Sequence, residues 1–264
     1  MEDIIYKKKS QNDLSLDHYL NNTFDVIIPV GPNDADIIYK QIEYTKKNII
    51  GYRNIYLISY NPTINIDGCI TIDEKIFPFT LDNVSNFHGK LDRNGWYIQQ
   101  LIKLYAGKII PDILEIYLVI DSDTFFLKPT SFVENNKCLY NFGTEYHRPY
   151  FEHMLKLDKD LIKVDNYKSG ICHHMIFETK YINEIITKIE ENHNDKFYNV
   201  FLKSVSDPGG SGASEYEIYF NYMLKNHADK ITIRKLNWSN VSSLDSNNNN
   251  NNDFVSVHWY NRNS

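Results

Sequence analysis

Apolar positions along this chain alternate between continuous runs and helical spacings. FDVIIPV (Phe24–Val30), NIYLISY (Asn54–Tyr60), the short CITI (Cys69–Ile72) and EIYLVI (Glu115–Ile120) are near-continuous apolar runs. Such runs predict strands covered on both faces, because a half-exposed strand would alternate polar and apolar. Between the third and fourth lies GWYIQQLIKLYAG, where Ile98, Leu101, Ile102 and Tyr105 fall on one face of a helix. Gly107 reads as its stop. Gly31-Pro32 closes the first strand, and Asn33 reads as the cap of a helix with Asp34 and Asp36 in its first turn. The stretch from Asp73 to Asn94 shows no period and reads as irregular.

The second half is more mixed. GICHHMIF (Gly170–Phe177) and FVSVHWY (Phe254–Tyr260) read as strands, and Tyr181–Glu191 and Glu215–Leu224 as helices. The run Asn247–Asn252 predicts a flexible Asn-rich loop over residues 245–253. Residues 1–22 are polar and read as an N-terminal arm, with residues 23–264 as a single domain. Strand and helix alternate in the first half, which predicts an α/β fold with a mixed, mostly parallel central sheet and helices on both faces.

Composition narrows the function. A chain of 264 residues with 42% hydrophobic content can bury a sizeable core. The net charge is −6 and no basic run exceeds Lys7-Lys8-Lys9, so nucleic acid is not the expected partner. Cys69, Cys138 and Cys172 are odd in number and widely spaced, which fits neither a disulfide framework nor a CxxC metal pair. The N-terminal MEDIIYKKKSQND has no apolar stretch of signal-peptide length, and no run is long enough to span a membrane. The expected location is therefore the cytoplasm.

The candidate chemistry is centred on Asp121-Ser122-Asp123, directly after the strand ending at Ile120. Open α/β sheets bind ligands beyond the carboxyl ends of their strands. Residues two apart in an extended segment point the same way, so both carboxylates can reach one hard cation such as Mn²⁺ or Mg²⁺. A leaving diphosphate needs such neutralisation. The apolar FFLKP that follows implies burial on both sides, where two carboxylates are costly without a cation or partner. Phosphatases of the haloacid-dehalogenase type also carry DxD after a strand, but with Thr or Val two residues beyond the second Asp. Here that position is Phe125.

Other residues can complete such a site. No glycine-rich loop follows the first strand, and Asp34 and Asp36 would repel phosphate, so P-loop and dinucleotide readings fail. Backbone groups of Pro29 and Val30 can meet a uracil, and Asp34 can hold ribose hydroxyls. On the helix after Arg93, the side chains of Trp96, Gln100 and Lys103 share a face, with Gln99 close by. Lys103 can pair with a diphosphate, and Arg93 and the two Gln amides with sugar hydroxyls. His173 and His174 alternate across a strand, and His174 is the donor-side candidate; Cys172 beside them does not make a zinc site. Ser206–Ala213 reads as a flexible glycine-rich loop. Ser214 and Glu217 match a capping box, which leaves Glu215 free at a helix start.

LVIDSDTFFLKP resembles the DxD segment of glycosyltransferases of the GT-A type, and FDVIIPVGPND resembles their first strand and nucleotide-side loop. GWYIQQLIKLYAG, SGICHHMIF and SEYEIYFNYML resemble further blocks in a poorly characterised group of glycosyltransferases from bacteria and large DNA viruses. The resemblance runs from Phe24 to His258. It implies a GT-A (Rossmann-like) fold and transfer of glucose, galactose or N-acetylglucosamine from a UDP-sugar to a hydroxyl on a glycan or protein. It implies Mn²⁺ (or Mg²⁺) held by Asp121, Asp123 and His258, with Ser122 on the donor side. For an inverting reaction it implies Glu215 as the catalytic base, although SEYE stands where several of those families have Glu-Asp. The rival expectation is a catalytically silent nucleotide-sugar or glycan-binding protein on the same fold.

Overall fold

The computed structural model describes residues 22–244 and 251–262. The arm predicted over residues 1–22 lies outside the described residues except for Asn22, as do residues 245–250 of the Asn-rich loop. The described residues form an α/β structure whose largest sheet has five strands.

In chain order the strands are β1 (Phe24–Val30), β2 (Ile49–Ile50), β3 (Tyr52–Ser59), β4 (Ile70–Asp73), β5 (Ile116–Ile120), β6 (Thr124–Phe126) and β7 (Thr130–Ser131). They continue with β8 (Val133–Glu134), β9 (Lys137–Tyr140), β10 (His174–Glu178), β11 (Ile231–Ile233), β12 (Trp238–Asn240) and β13 (Phe254–Ser256). The α-helices are α1 (Ile38–Asn48), α2 (Leu81–His88), α3 (Asn94–Ile109), α4 (Arg148–Leu157), α5 (Thr179–His193), α6 (Phe197–Lys203) and α7 (Glu215–Asn226).

The large sheet runs β10-β5-β1-β3-β4. Four of its strands are parallel and β10 is antiparallel to β5. The parallel strands therefore end on one edge, at Val30, Ser59, Asp73 and Ile120. Every residue of β1, β5 and β10 is buried, which is why these strands read as continuous apolar runs. Helix α3 packs on β1 and β5 and against α7. A three-stranded sheet, β12-β13-β6, carries the chain's last described strand back beside the residues that follow Asp123. No helix among the described residues is long and apolar enough to cross a membrane.

Several local expectations are corrected. Asn33 does not cap a helix: Pro32 opens a 3-10 turn over Pro32–Asp34, and α1 starts only at Ile38. The stretch Asp73–Asn94 is not irregular, since α2 lies within it, held by a reciprocal capping box between Thr80 and Asn83. Gly107 does not stop α3, which continues to Ile109. It is instead a point of close approach, where a Cβ would come within 2.2 Å of Thr179 Oγ1 and 2.7 Å of Tyr117. The strand expected from Gly170 begins only at His174 because His173 takes a left-handed φ of 60°. The last strand ends at Ser256, and Trp259–Asn261 form a 3-10 turn. Helices α4 and α6 have no counterpart among the elements expected from the sequence.

Candidate active site at the carboxyl edge of the sheet

Beyond Ile120 the chain turns rather than extends: the Asp121 carbonyl accepts from Thr124 N at 3.0 Å. The alternation argument for Asp121 and Asp123 therefore fails, and the two carboxylates have separate partners. Asp121 Oδ1 accepts from Lys103 Nζ at 2.6 Å and from the Tyr216 hydroxyl at 2.7 Å, while Oδ2 lies 3.6 Å from His173 Nδ1. Asp123 Oδ2 lies 2.8 Å from His258 Nδ1. Val257 N donates to the Asp123 carbonyl at 2.8 Å, so the β6–β13 ladder sets this second pair.

Lys103 is the hub of a buried charge network. Its ammonium donates to Asp121 and, at 2.7 Å, to Glu215 Oε1. Burial pushes the Lys103 pKa down, but the two carboxylates outweigh it and hold the amine above its ordinary value. Burial pushes Asp121 up, and Lys103 and His173 more than reverse this, holding its carboxyl well below the usual range. Burial wins at Glu215, whose pKa is raised despite Lys103. Burial, followed by Asp121 and Glu215, lifts the Tyr216 phenol well above its usual value.

This geometry revises the expected roles. Lys103 is held between two carboxylates, so its ammonium is already committed to Asp121 and Glu215. Glu215 is buried, with its side chain on Lys103 and its backbone N–H on Gln100 Oε1 at 3.2 Å. Gln100 is buried, and Gln99 is half-buried with its amide against Gly31 at the end of β1. Arg93 stacks on Trp96 and donates to Ser211 Oγ at 2.6 Å. Pro29 and Val30 are buried at the end of β1. Asp34 accepts from Ser122 Oγ and from Arg262 Nη2, both at 2.5 Å, which ties the β1 loop to the Asp121–Asp123 turn. Burial raises the Asp34 pKa although both partners oppose it.

The two histidines exchange roles. His174 is 2% exposed, packed among Phe126, Phe132 and Phe254, with neither ring nitrogen bonded among the described residues. Burial pushes its pKa down to about 3. It belongs to the core, and His173 faces the acidic site. The His173 ring lies between Asp121, His258 (5.0 Å between centroids) and Trp238 (4.9 Å).

Helix α7 is set beside Asp121 by Gly170, where a Cβ would meet the Tyr216 carbonyl at 2.5 Å. Ser214 Oγ accepts from Glu217 N at 3.2 Å, half of the expected capping box. The Glu217 carboxylate instead binds Ser169 and Asn221, anchoring the segment before His173. The loop expected to be flexible is fastened by Tyr97, whose hydroxyl bonds the backbones of Asp207, Gly210 and Gly212. Tyr216 and Arg262 belong to the site although no sequence pattern placed them there. Tyr216 matches a core spacing on α7, and that spacing carries no signal of its hydroxyl's distant partner.

Among the described residues, no group of three or more His, Cys, Asp or Glu side chains encloses a potential metal position. The donor chemistry suits a smaller protein contribution. Asp123 and His258 offer a carboxylate and an imidazole, and ions such as Mg²⁺ are commonly held by one or two carboxylates plus substrate phosphates and water. In this structure the two groups are hydrogen-bonded to each other at 2.8 Å, so a cation would take the place of the proton they share.

No curated protein matches the chain. A family model matches residues 15–260, and the chain belongs to that family, DUF6492, a family of unknown function.

Proposed function

We propose that this protein is a divalent-cation-dependent glycosyltransferase of GT-A type that takes a sugar from a UDP-sugar to a hydroxyl on a glycan or protein. The observation that carries the reading is the Asp123–His258 pair, 2.8 Å apart at the carboxyl edge of a mostly parallel sheet. These two residues would hold Mn²⁺ or Mg²⁺, with Asp121 alongside. A bound cation would neutralise the diphosphate of the donor. Lys103 and Tyr216 orient Asp121, and Lys103 and Gln100 fix Glu215. Asp34, Gln99 and the end of β1 remain the candidates for contact with the nucleoside.

The ion pair between Lys103 and Glu215 favours a second reading, a nucleotide-sugar-binding protein without turnover, because it occupies the candidate base. Calorimetric titration of UDP with Mn²⁺ and with EDTA tests the first requirement of both. Affinity that is equal in the two conditions overturns the cation role. Hydrolysis of UDP-glucose, UDP-galactose or UDP-N-acetylglucosamine in the presence of Mn²⁺ separates them: turnover supports the transferase, and cation-dependent binding without turnover supports the binder.

A further inference from the structure

A cavity of about 410 Å³ lies at the other end of the β6–β13 ladder from Asp123, lined by Lys128, Thr130, Ser131, Glu134, Arg234 and Asp253 together with apolar side chains. The ladder runs from Thr124↔Ser256 to Phe126↔Phe254, and Leu127 N then donates to the Asp253 carbonyl. At about 3.4 Å per residue the cavity is roughly 10 Å from the Asp123 end. It is a separate place in the molecule, and a ligand bound there is independent of the transferase reading.

Most polar groups of the cavity are matched. Lys128 Nζ donates to Asp253 Oδ1 at 3.0 Å, Asp253 Oδ2 accepts from Asn237 N at 2.8 Å, and the Thr130 hydroxyl donates to the Lys128 carbonyl at 2.8 Å. Arg234 is not among them. Its guanidinium lies 5.1 Å over the Phe132 ring, and its Nε and Nη2 are buried with no acceptor among the described residues. Arg53 shows what that edge is suited to bind. Its Nε and Nη2 donate in parallel to the two oxygens of Asp25, at 3.0 and 2.6 Å. Buried donors without an acceptor are costly, and a guanidinium fork matches planar oxyanions.

We propose that this cavity binds the carboxylate or phosphate group of a small polar ligand, with the Nε–Nη2 edge of Arg234 as the anion fork. Both donors are closed to solvent in this structure, so binding of an anion there requires the guanidinium to turn over Phe132. Glu134, which is exposed and whose charge, like that of Asp253, acts on Arg234 across the cavity, suits a hydroxyl or amine elsewhere on the same ligand. The cavity size is within the range of small-molecule sites.

Calorimetry at fixed ionic strength with inorganic phosphate, with acetate and with neutral glucose tests the assignment. Phosphate or acetate is expected to bind the wild-type protein with a Kd on the order of 1 mM or below, and whichever binds identifies the oxyanion. Arg234→Gln should weaken that binding at least about tenfold and leave UDP binding unchanged. Arg234→Met should keep or raise the melting temperature in buffer without oxyanion, because it removes two buried donors that have no acceptor. The proposal is overturned if neither anion binds, if Arg234→Gln binds as well as wild type, or if the binding is lost in Asp123→Ala instead. A fall of several degrees in Arg234→Met would make Arg234 a structural residue and overturn it as well.

Discussion

Asp123 and His258 are 135 residues apart in sequence and 2.8 Å apart in space. Burial pushes the His258 pKa down, but the Asp123 carboxylate outweighs it and raises the pKa above its ordinary value. The pair is held by short strands, with Thr124 opposite Ser256 and the two hydroxyls 2.8 Å apart. Either partner should therefore be removable without loss of the five-stranded sheet. His258→Ala and Asp123→Ala are each expected to weaken Mn²⁺ binding at least about tenfold, read by paramagnetic titration of free Mn²⁺. Wild-type affinity in both variants would mean that the pair is an ordinary ion pair at a strand end.

Lys103 is expected to matter more for stability than either carboxylate it holds. Lys103→Met leaves the buried Glu215 and the half-buried Asp121 without the ammonium between them, which costs about 3–5 kcal/mol. Glu215→Gln leaves Lys103 paired with Asp121 and should cost much less. Urea denaturation of the two variants checks the order. If Glu215 also acts as a base, Glu215→Gln lowers transfer by roughly a hundredfold to ten-thousandfold while UDP binding holds. A reversed order of stability would show that the Lys103 network does not support the fold.

His173 adopts a φ of 60°, which non-glycine residues take at some cost and Asn tolerates better than His. His173→Asn should therefore keep or raise the melting temperature. The same substitution removes the ring that lies between Asp121 and His258, so cation-dependent UDP binding should weaken. Thermal melting beside calorimetry separates the effects, and retained affinity would assign the ring a packing role only.

Two buried histidines predict a loss of stability in acid. Burial pushes the His153 pKa down to about 4 and the His174 pKa down to about 3. A lowered folded pKa on a base means that the unfolded chain takes up protons first, starting near its ordinary 6.5. The stabilisation is complete above pH 6.5 and is lost as pH falls toward the folded values. Each histidine contributes a slope of about 1.4 kcal/mol per pH unit in that window. His174→Phe should flatten the slope and stabilise the protein by about 1 kcal/mol near neutrality, since it removes two buried unbonded nitrogens from an aromatic cluster. Denaturation midpoints between pH 4 and 7 measure this, and an unchanged slope in the variant would exclude His174 as its source.

The strands of the large sheet are legible in the sequence because burial on both faces leaves no polar alternation in β1, β3 or β5. The place of Asp121 at the carboxyl end of β5 is legible too, since it follows that apolar run directly. Contacts between distant segments are not. That Lys103 commits its charge to Asp121 and Glu215 depends on how α3 and α7 approach, and no local pattern records it. Helix α4 escapes the sequence pattern because Pro149 resembles a breaker, although it sits in the first turn where its missing N–H costs nothing. His173 and His174 face opposite ways, as alternation predicts, but alternation alone does not say which of them is buried, and His174 is the one in the core.

The Asp123–His258 pairing also fixes an order in time. During synthesis from the N-terminus, β1, β3, β4, β5 and β10 can associate long before His258 leaves the ribosome. A nascent chain would then carry a nearly complete large sheet while its second aspartate still lacks an imidazole. Removal of the residues from Val257 onward by a protease would return the finished protein to that condition, and would also release Asp34 from Arg262. The acidic edge would lose both partners while the large sheet stays folded.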